Sequence, residues 1–411
     1  MVLANFDNLL QKYARLIAEV GVGTRKGHTV TVNISVDQAP LARLIAKEAY
    51  NLGAVEVIIL WNDEGVSKEF LLHADEERLE TVSKWKLAQQ DEFIDLKASR
   101  ISVVSNDPAA FAGVPSERIS TFQSTMGKAL MPTRLATQSN QLSWTVVAAA
   151  SLGWAKKVFP ELNDEEAIDA LWNQIFKTTR VYEEDPVAAW MKHDETLRTK
   201  ADEINAEQFD ALHYTAPGTD IVFGLPKNYH FEGAGSDNAR GEFFMANMPT
   251  EEVFGAPDRN RVDGTIVSTR PLSYAGTIID GMKFTFKNGK VVEFSAEKGQ
   301  KVLEDLLNTD EGARYLGEIA LVPDPSPISQ SGLTFFNTLF DENASNHLAL
   351  GSAYAFSIEG GTQMSEEELI KAGLNRSNVH VDFMVGSDKI NIDGIRKDGT
   401  RVPLFRNGDW A

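Results

Sequence analysis

The chain has 411 residues, of which 40 are Lys or Arg and 59 are Asp or Glu, leaving a formal net charge of −19. That length allows about two or three domains, and so acidic a surface, without any basic run, excludes a nucleic-acid partner. There is no cysteine, so disulfides and thiolate metal sites are excluded, and any metal must be held by His, Asp and Glu.

The N-terminal stretch carries charges throughout and lacks the apolar core of a signal peptide. No apolar run approaches the roughly 18 residues of a membrane span, so a cytoplasmic protein without a membrane partner is expected. Across residues 5–20, Leu9, Leu10, Tyr13, Leu16 and Ile17 keep a helical spacing. Residues 28–35 alternate as a strand does, and 39–52 return to helix with Gly53 as the stop. Residues 55–61 (VEVIILW) form a continuous apolar run, as expected of a strand buried on both faces. Residues 101–105 and 144–150 repeat the strand signal. Strand–helix alternation predicts an α/β domain, a parallel sheet flanked by helices. A nucleotide site does not fit this domain. Gly21, Gly23 and Gly27 precede the first strand instead of following it, and Gly233, Gly235 and Gly241 have the wrong spacing.

Helices over 165–180 and 186–206 connect to the second half, the latter opening at Asp185-Pro186. The division expected is an N-terminal α/β domain over 1–207 and an α+β C-terminal domain over 208–411. In the latter, Asn288-Gly289 between MKFTFK and KVVEFS is a hairpin signal, and Asp398-Gly399 is another. Ser365 and Glu368 form a capping box for a short helix that Gly373 ends.

Of the seven histidines, His28, His73, His193, His213 and His230 stand alone and read as ordinary. His380 and Asp382 lie in the strand pattern NVHVDFMV, where period two puts them on one face. There they can ligate a cation, or they can be the solvated face of a half-buried strand. His347 follows the polar segment Asp341-Glu342-Asn343-Ala344-Ser345-Asn346, with Tyr354 two helical turns later if this is helix, although Gly351 argues against helix. A polar loop with a helix cap is the plainer alternative. Glu318 stands at the head of the apolar run 319–322, at a ligand position or a solvated strand end. Glu251 and Glu252 precede Val253-Phe254. On a strand their carboxylates point to opposite faces, so one binds metal while the other handles protons, in an order left open here. Together, four Glu/Asp and two His in one domain of a cysteine-free chain suit a carboxylate-bridged metal pair. No Gly-x-Ser-x-Gly or His-Glu-x-x-His occurs.

The segments Pro249-Thr250-Glu251-Glu252-Val253-Phe254, Leu316-Gly317-Glu318-Ile319-Ala320-Leu321-Val322, Leu339-Phe340-Asp341-Glu342-Asn343-Ala344 with His347, and His380-Val381-Asp382-Phe383-Met384 occur in that order. They resemble the aminopeptidase T / aminopeptidase S family of thermophilic-type metallopeptidases, most closely its streptococcal-type PepS members. Trp144-Thr145-Val146, Gly153-Trp154-Ala155-Lys156, Val158-Phe159-Pro160 and Ala296-Glu297-Lys298-Gly299 extend the likeness over the whole chain. No motif position departs from it.

The resemblance implies a homodimer of two-domain subunits around an enclosed active-site cavity. It implies two metal ions held by Glu252, Glu318, Glu342, His347, His380 and Asp382, with Tyr354 at the same site. The expected activity is hydrolysis of the N-terminal residue from peptides with a free N-terminus. In that reading Glu318 bridges the metals, Glu251 is the general base and Tyr354 assists the oxyanion. The ions are Zn, Co, Mn or Mg, since His/carboxylate sites accept each of these. Another two-metal hydrolase such as a phosphoesterase, or a non-catalytic α/β binding protein, are the alternatives.

Overall fold

The structure is a computed structural model and describes residues 3–274 and 277–411. They form two compact units. One is the chain through Met191 together with Gly235–Pro249; the other is Lys192–Ala234 together with Thr250–Ala411.

The first unit is built on a parallel sheet of β1 (Thr29–Ser35), β2 (Glu56–Asn62), β3 (Ser99–Val104) and β4 (Trp144–Ala148), in the order β2–β1–β3–β4. Parallel neighbours need long crossovers, and helices such as Ala39–Asn51 and Ser116–Ala129 provide them. The first helix, Phe6–Leu16, is fastened to β4 by buried Tyr13. Its hydroxyl donates to the Ala148 carbonyl at 2.9 Å and accepts from the Ala148 N–H at 3.1 Å. The expectation of a doubly buried strand at 55–61 is corrected. β2 is an outer strand, and Val55 and Trp61 are 66% and 49% exposed. An apolar run records side-chain chemistry, whereas the place of a strand in a sheet is set by its partners. On the opposite side, the returning segment 235–249 covers the outer edge of β4. The Val146 N–H donates to Ala246 O at 2.7 Å, and Val146 O accepts from the Met248 N–H at 3.0 Å.

The second unit holds two large antiparallel sheets beside the two-stranded pair Leu272–Tyr274 and Thr277–Ile279. One has eight strands, in which Ala211–Ala216 lies between Thr219–Gly224 and Asn391–Ile395. Its Asn288-Gly289 turn has both residues left-handed (φ 49° and 81°), the backbone that a two-residue hairpin loop requires. The other sheet has five strands in chain order: β5 (Glu232–Gly233), β6 (Val253–Gly255), β7 (Leu316–Leu321), β8 (His347–Gly351) and β9 (His380–Met384). Leu212, Phe223, Phe284, Leu316, Leu348 and Phe383 are part of one continuous buried core of this unit. The short helix Glu366–Lys371 carries the capping box of Ser365 and Glu368. Among the described residues no helix is long and apolar enough to cross a membrane.

Candidate metal centre

The five-stranded sheet brings the acidic and histidine residues together by register. Directly paired residues of antiparallel strands point to the same face. Glu318 pairs with Ala349, and Ala349 pairs with Asp382. His347 stands two residues before Ala349 and so shares its face, and His380 pairs with Gly351. Ala320, Ala349 and Gly351 thus make a low floor from which Glu318, His347, His380 and Asp382 rise. Val381 and Phe383, on the other side of β9, are buried in the core.

Glu318 does not end a strand, as its sequence context suggested. It is 5% exposed and lies inside β7, where the register to β8 shifts between Leu316 and Glu318. Gly317 permits this, because a Cβ there would run into the carbonyl oxygens of Gly351 and Ser352. Nor is 347–354 helical. His347 opens β8, and Tyr354 follows the strand in extended conformation. The Gly351–His380 pairing delivers Tyr354 to His380 instead, with ring centroids 5.1 Å apart.

The acidic segment before His347 divides by function. Asp341 accepts from the N–H groups of Phe335 (2.7 Å) and Asn337 (3.0 Å), and burial pushes its carboxyl up to about 6. Asn343 donates to Leu339 O and accepts from the Glu251 N–H, at 3.0 and 2.8 Å. These side chains hold the loop. Glu342, in a 3-10 turn, is buried; its carboxyl is held well above the usual range by burial and then by the charges of Asp382 and Glu252.

Glu251 and Glu252 sit in the irregular segment that leads into β6, just outside the strand. Glu252 is two residues from Phe254, whose partner is Ala320 on the site face. Its Oε2 lies 3.1 Å from His347 Nε2. Glu251 turns elsewhere: its Oε2 is 3.4 Å from Nε2 of His193. His193, on the helix Pro186–Glu207, carried no signal in the sequence, because its neighbours in the chain are unremarkable and its partner is remote.

Two groups of donors result, Glu252–Glu318–His347 and Glu318–His380–Asp382, each with its atoms within 4.8 Å of one another. Glu318 belongs to both. Its Oε1 is 3.4 Å from His347 Nε2 and its Oε2 3.5 Å from His380 Nε2. Each ring is aimed through its other nitrogen: His347 Nδ1 meets Ser345 O at 3.3 Å, and His380 Nδ1 meets Ser352 O at 2.7 Å. Nδ1 donating to a carbonyl leaves Nε2 free as a ligand.

Burial works against the charge of Glu318, but hydrogen bonds from His347 and His380 outweigh it and bring its carboxyl down to about 2. Burial also disfavours imidazolium. Even so, the hydrogen bonds that His347 donates to Glu252 and Glu318 hold it well above its ordinary value, and the charge of Asp382, with Glu318, brings His380 to about 10. Burial, followed by the charges of Glu318 and Asp382, raises Tyr354 and keeps its hydroxyl protonated. Four buried or half-buried carboxylates against two imidazoles leave an excess of negative charge that is costly to bury without cations. Asp382 Oδ1 is itself buried without a hydrogen-bond partner, being near His380 Nε2 at 3.5 Å but out of hydrogen-bonding alignment. An all-oxygen and imidazole donor set of this kind fits divalent cations.

The family model described as thermophilic metalloprotease (M29) matches residues 6–410. The chain is 59% identical to aminopeptidase PepS of Streptococcus thermophilus over the full length of both, and 54% identical to aminopeptidase AmpS of Bacillus subtilis over 99% of both. The solved structure of wild-type AmpT from Thermus thermophilus superposes with a TM-score of 0.93 at 41% identity, covering 99% of this chain and 100% of that one.

Proposed function

The chain belongs to the thermophilic metalloprotease (M29) family, a hydrolase family whose named relatives are aminopeptidases, and on that premise we propose that it removes N-terminal residues from peptides at a site holding two divalent cations. The observation that carries the number two is Glu318, common to both donor groups. In this reading Glu252, Glu318, Glu342, His347, His380 and Asp382 would hold the cations, Glu318 being the residue common to both donor groups. The bound cations supply an acidified water and polarise the scissile carbonyl.

Glu251, buried beside this set but paired with a different histidine, takes the proton from the attacking water and returns it to the leaving amine. Tyr354, kept protonated by its surroundings, donates its hydroxyl hydrogen to the developing oxyanion. The free α-ammonium of the substrate is drawn to the excess carboxylate, which restricts cleavage to the first residue. We extend the reading to a homodimer on the strength of the family resemblance, and to the cytoplasm on the charged N-terminal stretch and the lack of a membrane-length apolar run in the sequence. Chelation should abolish hydrolysis of aminoacyl amides, and Zn, Co, Mn or Mg should restore it. Full peptidase activity in a demonstrably metal-free preparation, or turnover of phosphate esters in place of amides, ends this reading.

A further inference from the structure

We propose that His193 is the positioning residue for Glu251, holding its carboxylate where it exchanges the proton; this rests on the reading of Glu251 as general base. His193 Nε2 lies 2.8 Å from the carbonyl oxygen of Thr250 and 3.4 Å from Glu251 Oε2. The shorter contact is the hydrogen bond, with the ring N–H donating to the carbonyl. The same nitrogen then faces the carboxylate at ion-pair distance. The ring therefore bonds the backbone of the loop at Thr250 and stands against the Glu251 carboxylate, which can take only a longer share of the same N–H. The loop is held from its other side by Asn343, whose side-chain oxygen accepts from the Glu251 N–H at 2.8 Å. Both side chains are withdrawn from solvent, 13% exposed for His193 and 6% for Glu251.

The helix bearing His193 is itself fixed to the sheet it serves. Tyr229 donates its hydroxyl to Ile204 O at 2.8 Å, and the Asn205 amide bonds both the N–H and the carbonyl of Phe231, at 2.7 and 2.8 Å. One turn beyond His193, the Leu197 carbonyl lies so close to Gly233 that a Cβ on that glycine would meet it. Gly233 belongs to β5 and pairs with Val253, the first residue of β6 and the one directly after the doublet. Helix, β5 and β6 thus close a frame around Glu251. A side chain carried on so anchored a helix sets its partner more sharply than a loop residue does.

The test compares kcat, KM and metal content for His193→Ala, His193→Gln, Glu251→Gln and the double variant His193→Ala/Glu251→Gln. Alanine keeps the helix, so His193→Ala should fold. It should lower kcat by about 10- to 100-fold, the usual cost of losing a supporting partner, with KM and metal content unchanged. His193→Gln, which keeps an N–H donor, should recover most of that loss. If His193 acts through Glu251, the double variant should be no slower than Glu251→Gln alone. Multiplying losses in the double variant, an unchanged kcat in His193→Ala beside a slow Glu251→Gln, or loss of metal from His193→Ala would each overturn the inference. Normal turnover by Glu251→Gln would instead remove the base assignment, and the inference with it.

Discussion

Glu251 and Glu252 are adjacent in the chain, yet their carboxylates meet different imidazoles, Glu251 that of His193 at 3.4 Å and Glu252 that of His347 at 3.1 Å. Only the second histidine belongs to a donor group. The doublet thereby sets one carboxylate in a donor group and the other beside His193, the arrangement on which the proposed division between ligand and base rests.

Gln substitutions should separate the two roles. Glu252→Gln should lower metal affinity by about tenfold or more. Glu251→Gln should retain its metals and lose on the order of a hundredfold in turnover. Elemental analysis and steady-state kinetics on both variants decide it. The opposite pattern reverses the assignment.

Cation binding should release protons. With no cation bound, the neighbouring carboxylates raise His380 to about 10 and hold His347 well above its ordinary value, and each imidazole must become neutral to ligate. Calorimetry in buffers of different ionisation enthalpy should find about one proton released from each histidine as its cation binds, about two for the filled pair, and affinity should tighten as the pH rises. The linkage also has a sign for stability. Raised folded values mean that these imidazoles stabilise the metal-free protein fully below pH ~6.5, the unfolded value. That contribution is lost as pH rises toward about 10. The melting temperature of the metal-free protein should therefore fall across this interval, while the rise produced by added cation grows. A stabilisation by cation that shrinks with increasing pH contradicts the protonation scheme.

The floor of the site is a second target. Ala349 stands between Glu318 and Asp382 in register and is fully buried. Ala349→Leu should cost about 1–3 kcal/mol by overpacking and weaken metal binding by more than Glu252→Gln does, because it displaces donors of both groups. Thermal unfolding and metal content measure the two effects separately. Normal metal content in a folded variant would show that the space above Ala349 is not the cation site.

Substrate register should depend on the amine. N-acetylated peptides should be cleaved at least a hundredfold more slowly than the free forms, since acetylation removes the charge that the excess carboxylate attracts. Efficient cleavage of acetylated peptides, read by chromatography of the products, would point to an endopeptidase.

Much of this arrangement was legible in the sequence where local chemistry dictates geometry. Period two placed His380 and Asp382 on one face of β9, and Asn288-Gly289 and the Ser365–Glu368 box announced a hairpin and a helix start. What stayed hidden depends on partners distant in the chain. The outer position of β2 is set by sheet order, and the place of Glu318 inside β7 by a register shift against β8. His193 shows its role only once the helix is packed beside Thr250. The return of 235–249 to the first unit is likewise written in backbone bonds to Val146, which involve no distinctive side chain.

That return has a consequence for how the polypeptide can be divided. Because 235–249 lies beyond Lys192–Ala234, no single cut yields the two units intact. A fragment ending near residue 207 would lose the strand-like cover over Val146 and present the outer edge of β4, with its unpaired N–H and C=O groups, to other chains. Such a fragment should aggregate by edge pairing even though its four sheet strands are all present. On the ribosome the same edge stays open until residue 249 has emerged, so the first unit reaches completion only after synthesis of the second has begun.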